Sequence, residues 1–136
     1  MVANEGYFDI NLVGDVTGEK WLGKFKCKLR LSHRDTLSKD NLRRQLLGEN
    51  PALATERASS LAFIASELSV RLTDAPPWWR GSDNGLELED DNIMAEIYAN
   101  CVRLEKELYD KTHKKAEEAS DELKKKLEAD SPPEVK

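Results

Sequence analysis

The sequence predicts an α+β fold: an N-terminal antiparallel β-hairpin packed on a small helical bundle of about three helices, with an extended charged C-terminal helix. Three observations predict it. Residues 8–31 alternate apolar and polar side chains about a glycine-containing turn, the period of a half-buried strand. Residues 42–72 and 94–108 place apolar side chains mostly at three- and four-residue spacing, the period of a helix with one buried stripe. Residues 110–130 are mostly Lys, Glu, Asp and Ala, which favour helix without supplying a core.

The hairpin comes first. Phe8, Ile10 and Leu12 alternate with Asp9, Asn11 and Val13, and Trp21, Gly23, Phe25, Cys27, Leu29 and Leu31 alternate with Leu22, Lys24, Lys26, Lys28 and Arg30. Gly14-Asp15-Val16-Thr17-Gly18-Glu19 supplies the turn. A two-residue loop at Thr17-Gly18 sets Phe8 opposite Cys27, Ile10 opposite Phe25 and Gly14 opposite Trp21, with Asp9 facing Lys26 and Asp15 facing Lys20. A lone hairpin is marginal in water, so this one must pack on helices or on another chain.

A short helix follows, capped by Ser32 or Ser38, with Leu42, Leu46 and Leu47 on its apolar side and Gly48 at its C-terminal end. Asn50-Pro51 reads as the start of a second helix, running to about Thr73 with Leu53, Leu61, Ile64, Leu68 and Leu72 as its stripe. Ala54, Ala58, Ala62 and Ala65 beside that stripe admit a close neighbour. Asp74-Ala75-Pro76-Pro77 stops it. Trp78 to Gly85 reads as a turn-rich loop, and Leu86-Glu87-Leu88 as a short extended piece. Asp90 or Asp91 caps a third helix, whose seam is Met94, Ile97, Cys101, Leu104 and Leu108. The stripe then thins to Ala116, Ala119, Leu123 and Leu127, and Ser131-Pro132-Pro133 ends the helix. Two segments result: a compact domain over 1–108 and a charged helical arm or partly disordered tail over 109–136.

Composition bounds the function. The chain has 136 residues, 35% of them charged, and a formal net charge of −5. Residues 1–48 hold 9 basic and 6 acidic side chains, whereas residues 49–109 hold 5 and 12. Such polarity favours contact between copies, with partners of mixed charge, or between the two regions of one fold. No apolar run is long enough for a membrane helix, and MVANEGYFDI has neither the basic start nor the apolar stretch of a signal peptide. Cys27 and Cys101 form no CxxC pair, so neither a disulfide framework nor a zinc knuckle is expected.

No catalytic constellation is readable. His33 and His113 sit apart among charged residues, without metal-ligand spacing. Cys27 and Cys101 fall on apolar faces and read as small buried hydrophobes. Glu87 to Asn92 lacks the glycine and spacing of a calcium loop, and helix capping accounts for it more simply. Neither Gly81 nor Gly85 has the context of a phosphate cradle. No cofactor and no metal are expected. Lys24, Lys26, Lys28 and Arg30 alternate on one strand face and could track a phosphate backbone. The net acidic chain and the carboxylates opposite argue against that, and favour a solvated sheet edge guarded by lysines. Trp78 and Trp79 are adjacent, so both cannot easily face one core. One is expected inside and the other as an exposed interface anchor, with Arg80 beside them.

The order of these features resembles a known family. The hairpin with Thr17-Gly18-Glu19 and Gly23-Lys24-Phe25 leads to Leu31-Ser32 and an arginine-rich helix ending in Leu46-Leu47-Gly48. An alanine-rich helix, Ala75-Pro76-Pro77-Trp78-Trp79, Gly85-Leu86 and Asp90-Asp91-Asn92-Ile93 follow. Over about residues 8–108 the chain is similar to tail assembly chaperones and minor virion structural proteins of tailed bacteriophages. The resemblance implies a non-enzymatic role in tail assembly or structure. Its implied partners are phage structural or tape-measure proteins, with self-association, and its implied place is the host cytoplasm during assembly or the virion. Trp78, Trp79, Arg80, Lys24, Lys26, Lys28 and Arg30 are the expected partner-binding residues. The alternative is a small nucleic-acid-binding regulator using the basic strand face.

Overall fold

The computed structural model describes residues 4–130. The expected stop at Ser131-Pro132-Pro133 and the first three residues of the N-terminal stretch lie outside these. The elements are β1 (Glu5–Val13), β2 (Lys20–Lys28), α1 (His33–Leu47), α2 (Glu56–Arg71), β3 (Leu72–Asp74), α3 (Pro77–Gly81) and α4 (Asp91–Asp130). The fold is α+β, with the hairpin as expected and a long C-terminal helix. The chain divides after Glu105 into two compact units.

β1 and β2 pair antiparallel, but their register is two residues from the expected one. Phe8 faces Phe25, Ile10 faces Gly23, Leu12 faces Trp21, and Asp9 faces Lys24. A shift of two preserves which side chains point inward, because the side-chain period is also two. Phe8 and Phe25 become a direct pair and stack with ring centroids 5.2 Å apart. The connection is therefore six residues, Gly14 to Glu19, not a two-residue turn. Within it Gly14 N–H donates to the Glu19 carbonyl at 2.8 Å, and Gly18 N–H to the Gly14 carbonyl at 3.0 Å.

The sheet order is β1-β2-β3. β3 was not foreseen. It pairs with β2 at Lys26 and Cys27 only, so β2 is the central strand and not a lysine-guarded edge. β2 ends at Lys28, which leaves Arg30 beyond the strand.

The start of α1 is one of the two expected, and that of α2 is not. Ser32 caps α1 in a capping box with Asp35, which satisfies two otherwise orphaned N–H groups. Gly48 closes α1 with φ of 83°. Asn50-Pro51 opens only one 3-10 turn, Pro51–Leu53. Thr55 caps α2, accepting from Ala58 N–H at 3.1 Å. A threonine side chain can cap, whereas Asn50 makes no side-chain cap bond. The stretch after Pro76 is helical rather than looped, since proline at the first helical position already has the right φ. Residues 82–87 form turns rather than an extended piece.

In the first unit, one core joins these elements. Phe8, Ile10, Phe25 and Cys27 from the sheet meet Ala65 and Leu68 from α2, Trp79, and Ile93, Met94, Ile97 and Cys101 from α4. No residue of α1 is buried. It packs on α2 and is tied down by charge: Lys28 to Asp35 at 3.0 Å and Lys39 to Glu67 at 2.6 Å. Glu67 and Arg71, one turn apart on α2, are both buried and paired at 2.8 Å, and Arg71 also reaches Glu105. Burial pushes the Glu67 carboxyl up, but its bonds to Lys39 and Arg71 outweigh this and hold it below the ordinary value. The second unit is the remainder of α4. There Tyr109 stacks on His113, which lies 3.2 Å from Glu117.

The core and surface predict opposite mutational responses. Leu68→Ala and Ile97→Ala should each destabilise by about 2–5 kcal/mol through lost transfer energy and a residual cavity. Leu37→Ala, at an exposed position, should change stability by less than about 0.5 kcal/mol. Urea denaturation monitored by tryptophan fluorescence reads both.

Candidate functional site

The expected partner-binding residues separate into an aromatic corner and a basic strand face. At the corner, Pro76-Pro77 turns the chain back over the sheet. Gly23 makes this possible, because a Cβ there would lie 2.5 Å from the Pro76 ring. Trp78 is half-buried, and its indole N–H donates to the Leu22 carbonyl at 2.7 Å. Its ring centroid is 4.8 Å from that of Trp21 and 5.8 Å from that of Phe25. Trp79 is only 2% exposed and packs edge-on to Phe25. It is a core residue, so the exposed-anchor expectation does not hold for it. Phe25, Trp78 and Gly85 lie against its ring, and an aromatic of this size buries a large apolar area in a small core. Arg80 is exposed and pairs with Asp74.

Beside this corner lies a carboxylate clamp that capping logic foresaw only in part. Asp90 immediately precedes α4, as a cap would, yet its oxygens bind the hairpin tip. Oδ1 accepts from Val16 N–H and Thr17 N–H, each at 2.8 Å. Oδ2 accepts from the Thr17 hydroxyl at 2.7 Å and the Trp21 indole N–H at 2.8 Å. Asn92 adds two more bonds, accepting from Asp15 N–H and donating to the Val13 carbonyl. Gly14 leaves the room, since a Cβ there would sit 2.1 Å from Asp90 Oδ2. Asp90 is 1% exposed. Burial pushes its carboxyl up, but the Thr17, Trp21 and Val16 donors outweigh this and bring its pKa down to about 2. Asp91 turns instead to Arg57, at 3.1 Å.

The basic face is compensated. Lys26 lies 3.1 Å from Glu5, Lys28 is bonded to Asp35, and Lys24 sits opposite Asp9. The Arg30 backbone is held by both ends of the Asn4 amide. No group of three or more metal-ligating side chains is assembled among the described residues. No helix among them is long and apolar enough to cross a membrane.

A third feature escaped the sequence altogether. Thr36, Leu37, Lys39, Asp40, Arg43, Phe63, Ser66 and Glu67 line a groove between α1 and α2. Phe63 also borders a second hollow with Tyr98, whose ring it meets edge-on at 5.8 Å. Exposed Leu37 was on no expected stripe. The signal was present as an apolar side chain on the outer face of a strongly polar helix. Compared with known proteins, the chain matches no family model, no curated protein and no solved structure.

The clamp carries a pH signature. A carboxyl held lower in the folded state than in the unfolded one stabilises fully above its unfolded value, near 4. That contribution is lost as pH falls from about 4 towards about 2. Asp90→Asn keeps the shape but sets an NH2 against donors, and should lower the melting temperature at pH 7 by about 5–15 °C. The gap between wild type and variant should narrow as pH falls through that window. Calorimetry at pH 7, 4 and 2.5 checks it, and a gap that widens on acidification contradicts the assignment.

Proposed function

We propose that this protein is a non-enzymatic protein of a tailed bacteriophage, acting in tail assembly or structure through protein–protein contacts. The observation that carries the contact surface is the apolar side of the groove between the neighbouring helices α1 and α2. Leu37 is 72% exposed and Phe63 41%, and both line one groove with Arg43. Exposed leucine and phenylalanine grouped around an arginine is the composition of a protein-binding patch more than of a solvated helix face. The phage context rests on the resemblance of the hairpin, the Pro-Pro-Trp-Trp corner and the Asp90-Asp91-Asn92-Ile93 helix start to tail assembly chaperones and minor virion proteins.

The partners in this reading are phage structural or tape-measure proteins, met in the host cytoplasm during assembly or in the virion. Self-association belongs to the same reading. The nucleic-acid alternative is weaker, because Lys26 and Lys28 are each already bonded to a carboxylate and Lys24 faces one. Phosphates would have to displace those partners.

Co-purification from phage-infected cells tests the proposal. Tail or tape-measure proteins should be retained, and Leu37→Asp, at an exposed position, should weaken retention by at least about tenfold without lowering the melting temperature. A chain that stays monomeric and retains no tail, neck or capsid protein overturns it. Mass spectrometry of purified particles then separates a structural component, present at fixed copy number, from a chaperone that is absent.

A further inference from the structure

The two edges of the sheet are finished differently. β3, on one side of β2, has three residues, an irregular register between Lys26 and Cys27, and Pro76 soon after its end. Short length, a bulge and a proline are devices that discourage further pairing. β1, on the other side, runs nine residues from Glu5 to Val13 in unbroken register. Its sequence EGYFDINLV holds no lysine, arginine or proline. The lysines of the hairpin all stand on β2, the central strand.

The main-chain bonds tell which groups of β1 face its open side. Gly14 N–H donates to the Glu19 carbonyl at 2.8 Å, and Leu29 N–H to the Asn4 carbonyl at 3.4 Å. Both bonds extend the β1–β2 register, one beyond each end of β1, at even-numbered positions. Bonded pairs alternate along an antiparallel ladder, so Gly6, Phe8, Ile10 and Leu12 turn their N–H and C=O groups to β2. Glu5, Tyr7, Asp9, Asn11 and Val13 turn theirs away. Asn92 shows the same parity. Its amide donates to the Val13 carbonyl at 2.8 Å and accepts from Asp15 N–H at 3.0 Å, and so takes up the last stretch of the edge. Among the described residues, nothing bonds the outward main-chain groups of Glu5, Tyr7, Asp9 or Asn11. Such an open row of donors and acceptors is a template for one more strand.

We propose that β1 pairs antiparallel with β1 of a second copy, about a two-fold axis at Phe8, so that two sheets become one. Charge selects this occupant. The carboxylates of β1 are already matched from behind, with Glu5 3.1 Å from Lys26 and Asp9 opposite Lys24. A basic strand therefore gains little there, whereas another β1 arrives with its own lysines alongside. The outward parity allows only registers that set odd-numbered residues opposite odd-numbered ones. An axis at Asp9 would set that carboxylate against its own copy, which is unfavourable. An axis at Ile10 would draw on Val13, whose carbonyl Asn92 holds. The axis at Phe8 sets Glu5 opposite Asn11 of the second copy and Tyr7 opposite its Asp9, with no like charges facing. It uses the four open residues of each strand, in about eight main-chain bonds. This gives a surface to the self-association proposed above and rests on that part of the reading, not on the phage context.

Analytical ultracentrifugation of the full chain, from micromolar to millimolar concentration, tests the pairing. It should show a dimer of twice the chain's 15.4 kDa. Asn11→Pro removes an N–H that bonds nothing within one copy, and should weaken dimerisation at least about tenfold. Within its own hairpin Asn11 faces Leu22, so a charge placed there reads the second copy. Asn11→Lys, set against Glu5 of that copy, should tighten the dimer about fivefold, and Asn11→Glu should loosen it by as much. Circular dichroism checks that each variant is folded. Amide exchange of the wild-type chain, read by NMR, answers without any variant. Glu5, Tyr7, Asp9 and Asn11 should be protected at high concentration and exchange fast on dilution, while Phe8 and Ile10 stay protected at both. A chain that is monomeric at every concentration overturns the proposal. So does a dimer that Leu37→Asp dissolves and Asn11→Pro leaves intact, which puts self-association in the α1–α2 groove. Retention of tail proteins is read in the separate co-purification, so failure here is distinct from failure of the phage reading.

Discussion

Asp90 is a carboxylate with almost no water around it, and such a group is tolerable only when its lone pairs are filled by donors. Four donors from the hairpin fill them. The reciprocal benefit matters as much. Val16 and Thr17 lie in a connection without strand partners, so their N–H groups gain in Asp90 the acceptor that a sheet ladder would otherwise supply. The six-residue loop, the absence of a side chain at Gly14 and the orientation of the Trp21 ring all follow from accommodating this one group. Trp21 then positions Trp78, and the tryptophan corner closes over the sheet.

A second set of charges, buried at Glu67 and Arg71 and partly exposed at Lys39 and Glu105, does for the helices what Asp90 does for the hairpin. Lys39, Glu67, Arg71 and Glu105 link α1, α2 and α4. Buried pairs of this kind add little net stability over apolar packing, but breaking one partner leaves a charge stranded. Here their consequence is positional. α1 contributes nothing to the core, so its place beside α2 depends on these charges and on partial burial of Leu42 and Leu47. A helix held in this way keeps its outer leucines free, which is how the groove with Phe63 arises.

The proposed function thus draws on surfaces that the fold does not consume. Tryptophans that looked like anchors are largely spent on internal packing, Trp79 wholly and Trp78 in part. The lysines of β2 are matched by carboxylates of β1 and α1. Apolar side chains stay exposed on α1 and α2, on the hairpin at Tyr7, Val13, Val16 and Leu22, and on the second unit at Leu123. These suit a protein that works by contact with other proteins.

Periodicity let the sequence determine a great deal by itself: the fold class, which face of β1 and β2 is buried, the Gly48 stop, and the α4 seam through Met94, Ile97 and Cys101. These depend on neighbours within one or two turns, and the chain carries that information locally. Register, helix starts and partner choice were decided elsewhere. A two-residue slip leaves every apolar side chain on the same face, so alternation could not distinguish Phe8 opposite Cys27 from Phe8 opposite Phe25. Asp90 read as a cap because a carboxylate before a helix has two uses, and only the tertiary structure shows the hairpin tip within its reach. The same holds for Glu67 with Lys39, for Arg71 with Glu105, and for Trp79 against Trp78. A side chain's chemistry states what kind of partner it needs, but the packing of distant elements determines which partner it meets.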